Sequence, residues 1–589
     1  MNQNKPETHD TRDDVTTKQH PTRLMAGIYL TLGIGALVLI SRPETDTLAR
    51  YALGIAVEIA LALMALVFIR LEDLSIPQTA RLRLPGRQQV LMALAIVPGM
   101  WMTGVLLNVL SMLILGYSTP VTPAMFPRNA PEAIALALTT MVVAPVAEEI
   151  MFRGYIQRAF ERPGPWPGVI AGGLIFALYH LRFQGVFALV PIALALGFVA
   201  WRTRSLLPTI AMHAAYNTIA TVLLITTSFL PMEVVGGLTG MLVCFGILIT
   251  PVSYVALWLL WQRTQPPQLS PAPPQRRWLR WAWAVPMILL LGIYGYAAGT
   301  ELLVSRFPET FLNNVIELTA PADWQETHRW DYTVRNPLGR ELGTATCTRS
   351  VDDDRFGLSC QADHEGFDLA DEMPGLAGGL RSIEDLPYDL PAAAAAMLYT
   401  EAKTWSLEAT WTDEALALEE LTSDEEVSER QLRLSYVAGK AEVTLRNPDG
   451  DTTADTVSTA SAEEGLILMP HEWAWRLSAM PLELPYGGEA VLVQTTDAGS
   501  IRLYDAFVQV AGGEPVWTPS GNYVTWKVTV SYADASDQER TLAAWYDSEA
   551  PHKLVRYDDG AVSYLLSQTE SAGWTRESLS RSEKRRSAP

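Results

Sequence analysis

The sequence predicts a polytopic α-helical membrane bundle of about nine spans, followed by an acidic, β-rich C-terminal domain on the extracytoplasmic side. Three observations predict it. Composition splits the chain: residues 1–300 hold 21 Lys+Arg and 14 Asp+Glu, net +7, whereas residues 301–589 hold 23 and 50, net −27. Apolar runs near the ~20 residues that cross a bilayer recur only in the first half. The second half alternates apolar and polar residues between Asp-Gly and Asn-Pro turns, the pattern of antiparallel strands. A mean hydropathy of +0.12 beside a pI near 4.9 averages the two parts. So acidic a second half excludes nucleic acid as its partner.

Residues 1–23 are polar, mixed in charge and without apolar periodicity, which predicts a disordered cytoplasmic tail and not a signal peptide. Residues 24–262 are the membrane bundle, so the lipid bilayer is a partner. Its apolar runs are Leu24 to Ile40, Tyr51 to Ile69, Val90 to Tyr117, Ala133 to Phe160, Gly168 to Leu181, Val186 to Trp201, Leu206 to Phe229 and Val234 to Trp261. The fifth and sixth are short for a span. Residues 263–280, within "RTQPPQLSPAPPQRRW", form a Pro-rich cytoplasmic linker, and residues 281–300 the final span. Arg70, Arg81, Arg83 and Arg87, then Arg153, Arg158 and Arg162, then Arg202 and Arg204, then Arg263, Arg276, Arg277 and Arg280 alternate with poorly basic loops. Cations are retained inside, so the N-terminus is cytoplasmic and residues 301–589 lie outside.

In that exterior domain "RWDYTVRN", "AEVTLRN", "NYVTWKVTVSYAD", "HKLVRY" and "AVSYLLSQ" read as strands of an antiparallel sheet or open barrel. Helices are expected around "PAAAAAMLYTEAKTW" and "DEALALEELTSDEEVSERQL". The stretch "AAWYDSEAPHKLVRYDDGAVSYLLSQ" resembles lipoprotein-carrier-like curved sheets and carries no catalytic signature. Cys347 and Cys360 flank "TRSVDDDRFGLS", a hairpin that a disulfide could close outside the cell; two free thiols are the alternative. Cys244 is expected to pack inside the eighth span. The domain is expected to bind or sense, with a protein partner.

The informative stretch is "VAEEIMFRGY", which places three ionisable groups in a lipid-spanning run. Charge at that depth costs at least a few kcal/mol, about 2.5–3.5 on insertion scales, and is kept for pairing, transport or chemistry. Residues four apart share a helix face, so Glu149 pairs with Arg153, while the residue four after Glu148 is Phe152. Glu148 therefore has no counter-ion on its own helix and is the candidate reactive group.

Two of the eight histidines lie within apolar spans, His180 in "FALYH" and His213 in "MHAAYN". Phe176 shares a face with His180, and Asn217 with His213. The prolines of "RPGPWPG" break the helix between the fourth and fifth spans. Glu148 and His180 each lie about 20 Å from that turn along antiparallel helices, and His213 and Asn217 come within ~10–17 Å of the inner end of the seventh span. Four polar groups from three spans thus converge in one layer, which suits chemistry or an ion path.

The motifs "EEIMFR", "FALYH" and "HAAYN" fit EExxxR, FxxxH and HxxxN in order. They resemble the family of CAAX-prenyl endopeptidases and bacteriocin-processing or abortive-infection proteins, the CPBP intramembrane proteases, over residues 88–230. The resemblance implies an intramembrane endopeptidase of a bacterial cytoplasmic membrane acting on a membrane-associated protein or peptide. By motif position it implies that Glu148 activates water with help from His180, that His213 and Asn217 stabilise the oxyanion, and that Glu149, Arg153 and Phe176 support the site. The favoured mechanism requires no cofactor. Glu148, His180 and His213 also make a ligand set for zinc or another divalent metal, although HExxH spacing is absent. A non-proteolytic immunity, binding or transporter-like protein on the same fold is the alternative function. The family core has fewer spans, so the first two, the ninth and the exterior domain are additions. Glu58, in the second span, has no role in this scheme.

Overall fold

The computed structural model describes residues 21–40, 47–264 and 282–571, except 313–314, 321–323, 325, 353–354, 369–398, 413–415, 417, 426–429, 438–439, 458–465, 496–499 and 551. The expected tail and most of the Pro-rich linker lie outside the described residues. The chain divides into two compact units, one of Met1–Thr119 with Pro127–Arg306 and one of Pro120–Phe126 with Phe307–Pro589.

The first unit is helical: α1 Arg23–Ile40, α2 Thr47–Leu71 and α3 Arg87–Leu115, α4 Ala130–Phe160, α5 Pro165–Tyr179, α6 Phe183–Thr203, α7 Leu207–Phe229, α8 Met232–Arg263 and α9 Ala284–Arg306. Seven of them are long and apolar enough to cross a membrane; Arg23–Leu37 and Pro165–Tyr179 are shorter. The nine expected runs all form helices, but the short ones are the first and fifth, and the sixth reaches 21 residues. Ends follow local chemistry. Gly116, at φ +73°, caps α3 in the left-handed region that glycine enters without strain. The Asn129 side chain accepts from Glu132 N at 3.0 Å to open α4.

Helix α4 carries "VAEEIMFRGY" and is not uniformly α: Leu138–Val143 and Glu149–Ile156 are wound as π-helix. Such widened turns are uncommon and concentrate at functional sites. Tyr29 of α1, Leu61 and Ile69 of α2, Phe152 and Tyr155 of α4 and Phe176 and Tyr179 of α5 share one buried cluster. Tyr29 meets Tyr155 edge-on at 6.0 Å between ring centres. The two N-terminal helices are therefore packed onto the motif helix. The ninth helix extends past its expected end, and Glu301 within it accepts from the amides of Phe183 (2.8 Å) and Gln184 (3.0 Å), capping the exposed N–H groups that open α6. Cys244, expected to pack, is exposed on α8.

Among the described residues, the second unit is a 15-stranded sheet with strands, in spatial order, β10 (Thr452–Val457), β9 (Lys440–Arg446), β8 (Arg430–Val437), β7 (Leu418–Glu425), β6 (Lys403–Thr412), β3 (Arg355–His364), β2 (Glu341–Asp352), β1 (His328–Arg335), β17 (Ser563–Ser571), β16 (Leu554–Asp558), β15 (Glu539–Asp547), β14 (Gly521–Ala533), β13 (Ile501–Thr518), β12 (Gly487–Thr495) and β11 (Leu466–Leu468), while β4 (Phe367–Asp368) and β5 (Tyr399–Thr400) pair separately. All its pairs are antiparallel except β11–β12. Strand β1 (His328–Arg335) lies centrally, between β2 (Glu341–Asp352) and β17 (Ser563–Ser571). Strands β3 (Arg355–His364) and β6 (Lys403–Thr412) bury alternate residues, as period-two patterning requires. The turns after "PD" and "DD" are closed by Gly450 at φ +87° and Gly560 at φ +98°. Cys347 of β2 and Cys360 of β3 face each other across the hairpin and form a disulfide.

One expectation fails here. In "DEALALEELTSDEEVSERQL", residues 413–415, 417 and 426–429 lie outside the described residues, and the others give β7 (Leu418–Glu425) and the start of β8 (Arg430–Val437), not a helix. Its Ala, Leu and Glu favour helix, but pairing with β6 and β8 wins. In "PAAAAAMLYTEAKTW", residues 391–398 lie outside the described residues, while Tyr399–Thr400 and the residues from Lys403 onward are strand. A short helix, α10 (Trp473–Arg476), is buried with the sheet's core: Trp411 Nε1 donates to Glu472 Oε1 at 2.9 Å, and Tyr546 Oη donates to the Ala474 carbonyl at 2.6 Å.

Candidate active site

The first unit gathers the motif residues from α4, α5 and α7. Glu149 and Arg153 are fully buried and joined at 2.8 Å, as their spacing predicts. Arg153 also donates to the Ala193 carbonyl of α6 at 3.1 Å and lies 4.3 Å over the Phe176 ring. Phe176 thus has a definite role: it covers the guanidinium on one side and stands 5.0 Å from the His180 ring and 5.7 Å from the His213 ring on the other.

The His213 Nδ1 lies 3.0 Å from Glu149 Oε1 and donates to it, which turns Nε2 toward Glu148, 3.7 Å from Oε2. Glu148 is 9% exposed and His213 4%. A carboxylate that orients one ring nitrogen fixes which nitrogen faces the chemistry. Glu149 therefore does more than neutralise Arg153: it sets the histidine, a role that its position beside Glu148 does not reveal.

Asn217 Nδ2 donates to the Thr140 carbonyl at 2.9 Å. That carbonyl is left open by the π-turn. In the π-turn, Ala144 N bonds Thr139 O, so the next partner in register for Thr140 would be residue 145, a proline without an N–H. Asn217 supplies the missing donor, keeping its second N–H for another acceptor. The Thr140 and Thr221 hydroxyls, 2.8 Å apart, tie α4 to α7 beside it.

His180 sits just past the end of α5, not inside it, and its Nδ1 donates to the Phe176 carbonyl at 2.9 Å. Its Nδ1 is thus held by its own helix end, which leaves Nε2 as the other ring nitrogen. The metal set is not assembled: among the described residues, no group of three His, Cys, Asp or Glu side chains is arranged to hold an ion. Glu148, His180 and His213 do not fit a zinc site in this arrangement.

A second polar cluster closes the C-terminal end of α4. Glu161 pairs with Arg81 and, at 2.7 Å, with Arg158, while Gln157 Nε2 donates to Glu161 at 3.0 Å and to the Gly197 carbonyl at 3.1 Å. Two of the arginines that set the predicted orientation are thus also structural.

Fold and site define a polytopic helical membrane protein with a carboxylate, imidazole and amide constellation inside its bundle. Residues 130–219, which hold Glu148, His180, His213 and Asn217, match the family model described as Type II CAAX prenyl endopeptidase Rce1-like. That region is similar to this family of membrane endopeptidases, in agreement with the three motifs. No curated protein and no solved structure matches the chain.

Proposed function

We propose that the protein is an intramembrane endopeptidase in which Glu148 is the general base. Glu148 takes a proton from water as the oxygen adds to the substrate carbonyl carbon. The second Asn217 N–H stabilises the charge that develops on the carbonyl oxygen; His213, which donates from Nδ1 to Glu149, adds an Nε2–H donor only as the imidazolium. When the C–N bond breaks, Glu148 returns the proton to the leaving amine. One observation carries this: Glu148 is buried with no cation of its own, 3.7 Å from a histidine whose other nitrogen is locked by the Glu149–Arg153 pair. Preorganised donors in a water-poor site are worth roughly 3–4 kcal/mol each. No step in this scheme needs a metal.

The substrate is a membrane-associated protein or peptide. The C-terminal unit, placed outside by the loop cations, recruits it or regulates access. Comparative membrane proteomics of cells carrying the intact protein or Glu148→Ala tests the reading. A new peptide C-terminus that accumulates only with the intact protein names the substrate; identical profiles would replace peptidase by a binding or immunity function.

A further inference from the structure

Along β1 and β2 every second residue faces the core of the C-terminal unit: Trp330, Tyr332 and Val334 on the first strand, Ala345 and Cys347 on the second. One more step of that alternation puts His328 and Arg349 on the same face. Register sets the two directly opposite each other, with Leu358 of β3 opposite Arg349 on its other side. An arginine is unusual at a core-facing position, and this one is only 4% exposed. Its Cζ lies 4.8 Å from the centre of the Trp324 ring and 5.4 Å from that of Trp330, and its Nη2 donates to the Glu326 carbonyl at 3.4 Å. A guanidinium held over ring faces presents its planar fork to a carboxylate.

These residues line a cavity of about 250 Å³. Its apolar wall is aromatic: Trp475 of α10 stands 4.9 Å from Trp330 between ring centres, and Trp324 stands 6.1 Å from Trp411. Trp411 gives its N–H to Glu472, so it offers the cavity a ring and not a donor. The polar wall is basic. Lys553 joins Arg349 there, with the imidazoles of His328 and His552, and among the described residues no carboxylate lines the cavity, in a half of the chain whose net charge is −27. Acids stand behind this wall: Asp547 Oδ2 is 3.7 Å from Lys553 Nζ, and Glu326 Oε2 is 3.9 Å from His328 Nε2. His552 Nδ1 is held by the Asp547 carbonyl at 2.8 Å.

Charge and shape together select the ligand. A cation would meet Arg349 and Lys553, a neutral apolar group would ignore them, and inorganic phosphate would leave four indoles unused. A dry cavity of ~150 Å³ holds benzene, so this one takes a ring or branched side chain together with a carboxylate. We propose that the cavity binds a carboxylate carried on one aromatic or branched apolar side chain, the chemistry of a peptide C-terminus that ends in such a residue and of a small free acid. This deepens the recruiting role of the C-terminal unit and does not need the peptidase reading.

The test uses full-length Glu148→Gln protein in lipid nanodiscs, so that no probe is cut, and a fluorescent tetrapeptide ending in phenylalanine. The free acid should bind 10-fold or more tighter than the C-terminal amide, as charge-assisted hydrogen bonds allow, and tighter by a similar factor than the same peptide ending in glycine. Arg349→Gln should bring the acid-to-amide ratio within twofold of one. Lys553→Gln, on the half-buried edge of the cavity, should lower it severalfold without disturbing the core. Equal binding of acid and amide overturns the proposal whether or not the Arg349 variant folds, as does a preference that survives in folded Arg349→Gln protein. Competition by N-acetylphenylalanine names the source: displacement at the concentration the peptide itself needs assigns a free acid, and displacement only at 10-fold more assigns a chain end. Failure here leaves the peptidase standing, because new peptide C-termini in the proteomic comparison are read independently.

Discussion

A single oxygen of Glu149 accepts from Arg153 at 2.8 Å and from His213 at 3.0 Å, so the partner of the motif arginine is also what aims the histidine at Glu148. The adjacent carboxylates should therefore fail differently. Glu148→Gln should accumulate normally and lose turnover. Glu149→Gln leaves a buried guanidinium without its charge partner, a loss of about 3–5 kcal/mol, so it should accumulate poorly. The fraction that does fold should also be slow, because an amide is a weaker acceptor for His213. Immunoblots of membranes beside initial rates decide this; equal loss of protein in both variants would make Glu148 structural as well.

The Asn217 amide is positioned by the Thr140 carbonyl, which Pro145 leaves open. Removing an oxyanion donor costs on the order of 100-fold or more in turnover with little change in KM. Asn217→Ala should show that split. Pro145→Ala restores an N–H that can compete for the same carbonyl, and should lower turnover by a smaller factor. An Asn217→Ala protein as fast as the parent would remove this residue from the mechanism.

Much of the site is legible in the sequence because helix periodicity is local. Spacing alone puts Glu149 with Arg153, and His213 with Asn217, on common faces; that Asn217 takes up the Thr140 carbonyl is set by the π-turn, since α-helical register would pair residue 145 with Met141. Glu58 is visible as a charge in lipid, but that α2 packs on α4 is a long-range fact that no window of sequence holds. Among the strands, turn chemistry specifies the "DDG" and "PDGD" hairpins, whereas the Ala, Leu and Glu of Leu418–Glu425 point to helix and are overruled by neighbours on both sides. His180 departs from its expected place within a span because α5 ends at Tyr179 and leaves it as the capping residue.

Metal removal separates the glutamate mechanism from zinc chemistry. With no three-ligand group among the described residues, slow chelation should leave the cleavage rate within twofold, and purified protein should hold far less than one equivalent of metal. Stoichiometric zinc lost together from His180→Ala and His213→Ala would show that the helices close into a different arrangement when loaded.

Orientation can be read from both ends of α9. A reporter active only outside should work when fused after residue 310 and fail after residue 270. Because Cys347 and Cys360 form a disulfide closed over 13 residues of separation, thiol alkylation of the native membrane protein should then label neither unless a reductant is added. Replacing both by serine should cost the C-terminal unit about 2–4 kcal/mol. Active fusions at 270 and inactive ones at 310 would invert the topology.

The buried Glu472 makes the stability of the C-terminal unit depend on pH. Burial raises its carboxyl above the ordinary range, and the Arg476 guanidinium, 3.8 Å away, and the Trp411 N–H only partly oppose this. A carboxyl raised in the folded state binds its proton more tightly there than in the unfolded chain. Its contribution to stability is therefore fully present below the unfolded value and is lost as pH rises through the folded one. Glu472→Gln keeps an acceptor for Trp411 and removes the titration. Pulse proteolysis of the full-length protein in urea should show the parent losing midpoint relative to Glu472→Gln as pH rises from acid to neutral. A parent-to-variant difference that stays constant across that range would mean that Glu472 has the same proton affinity folded and unfolded.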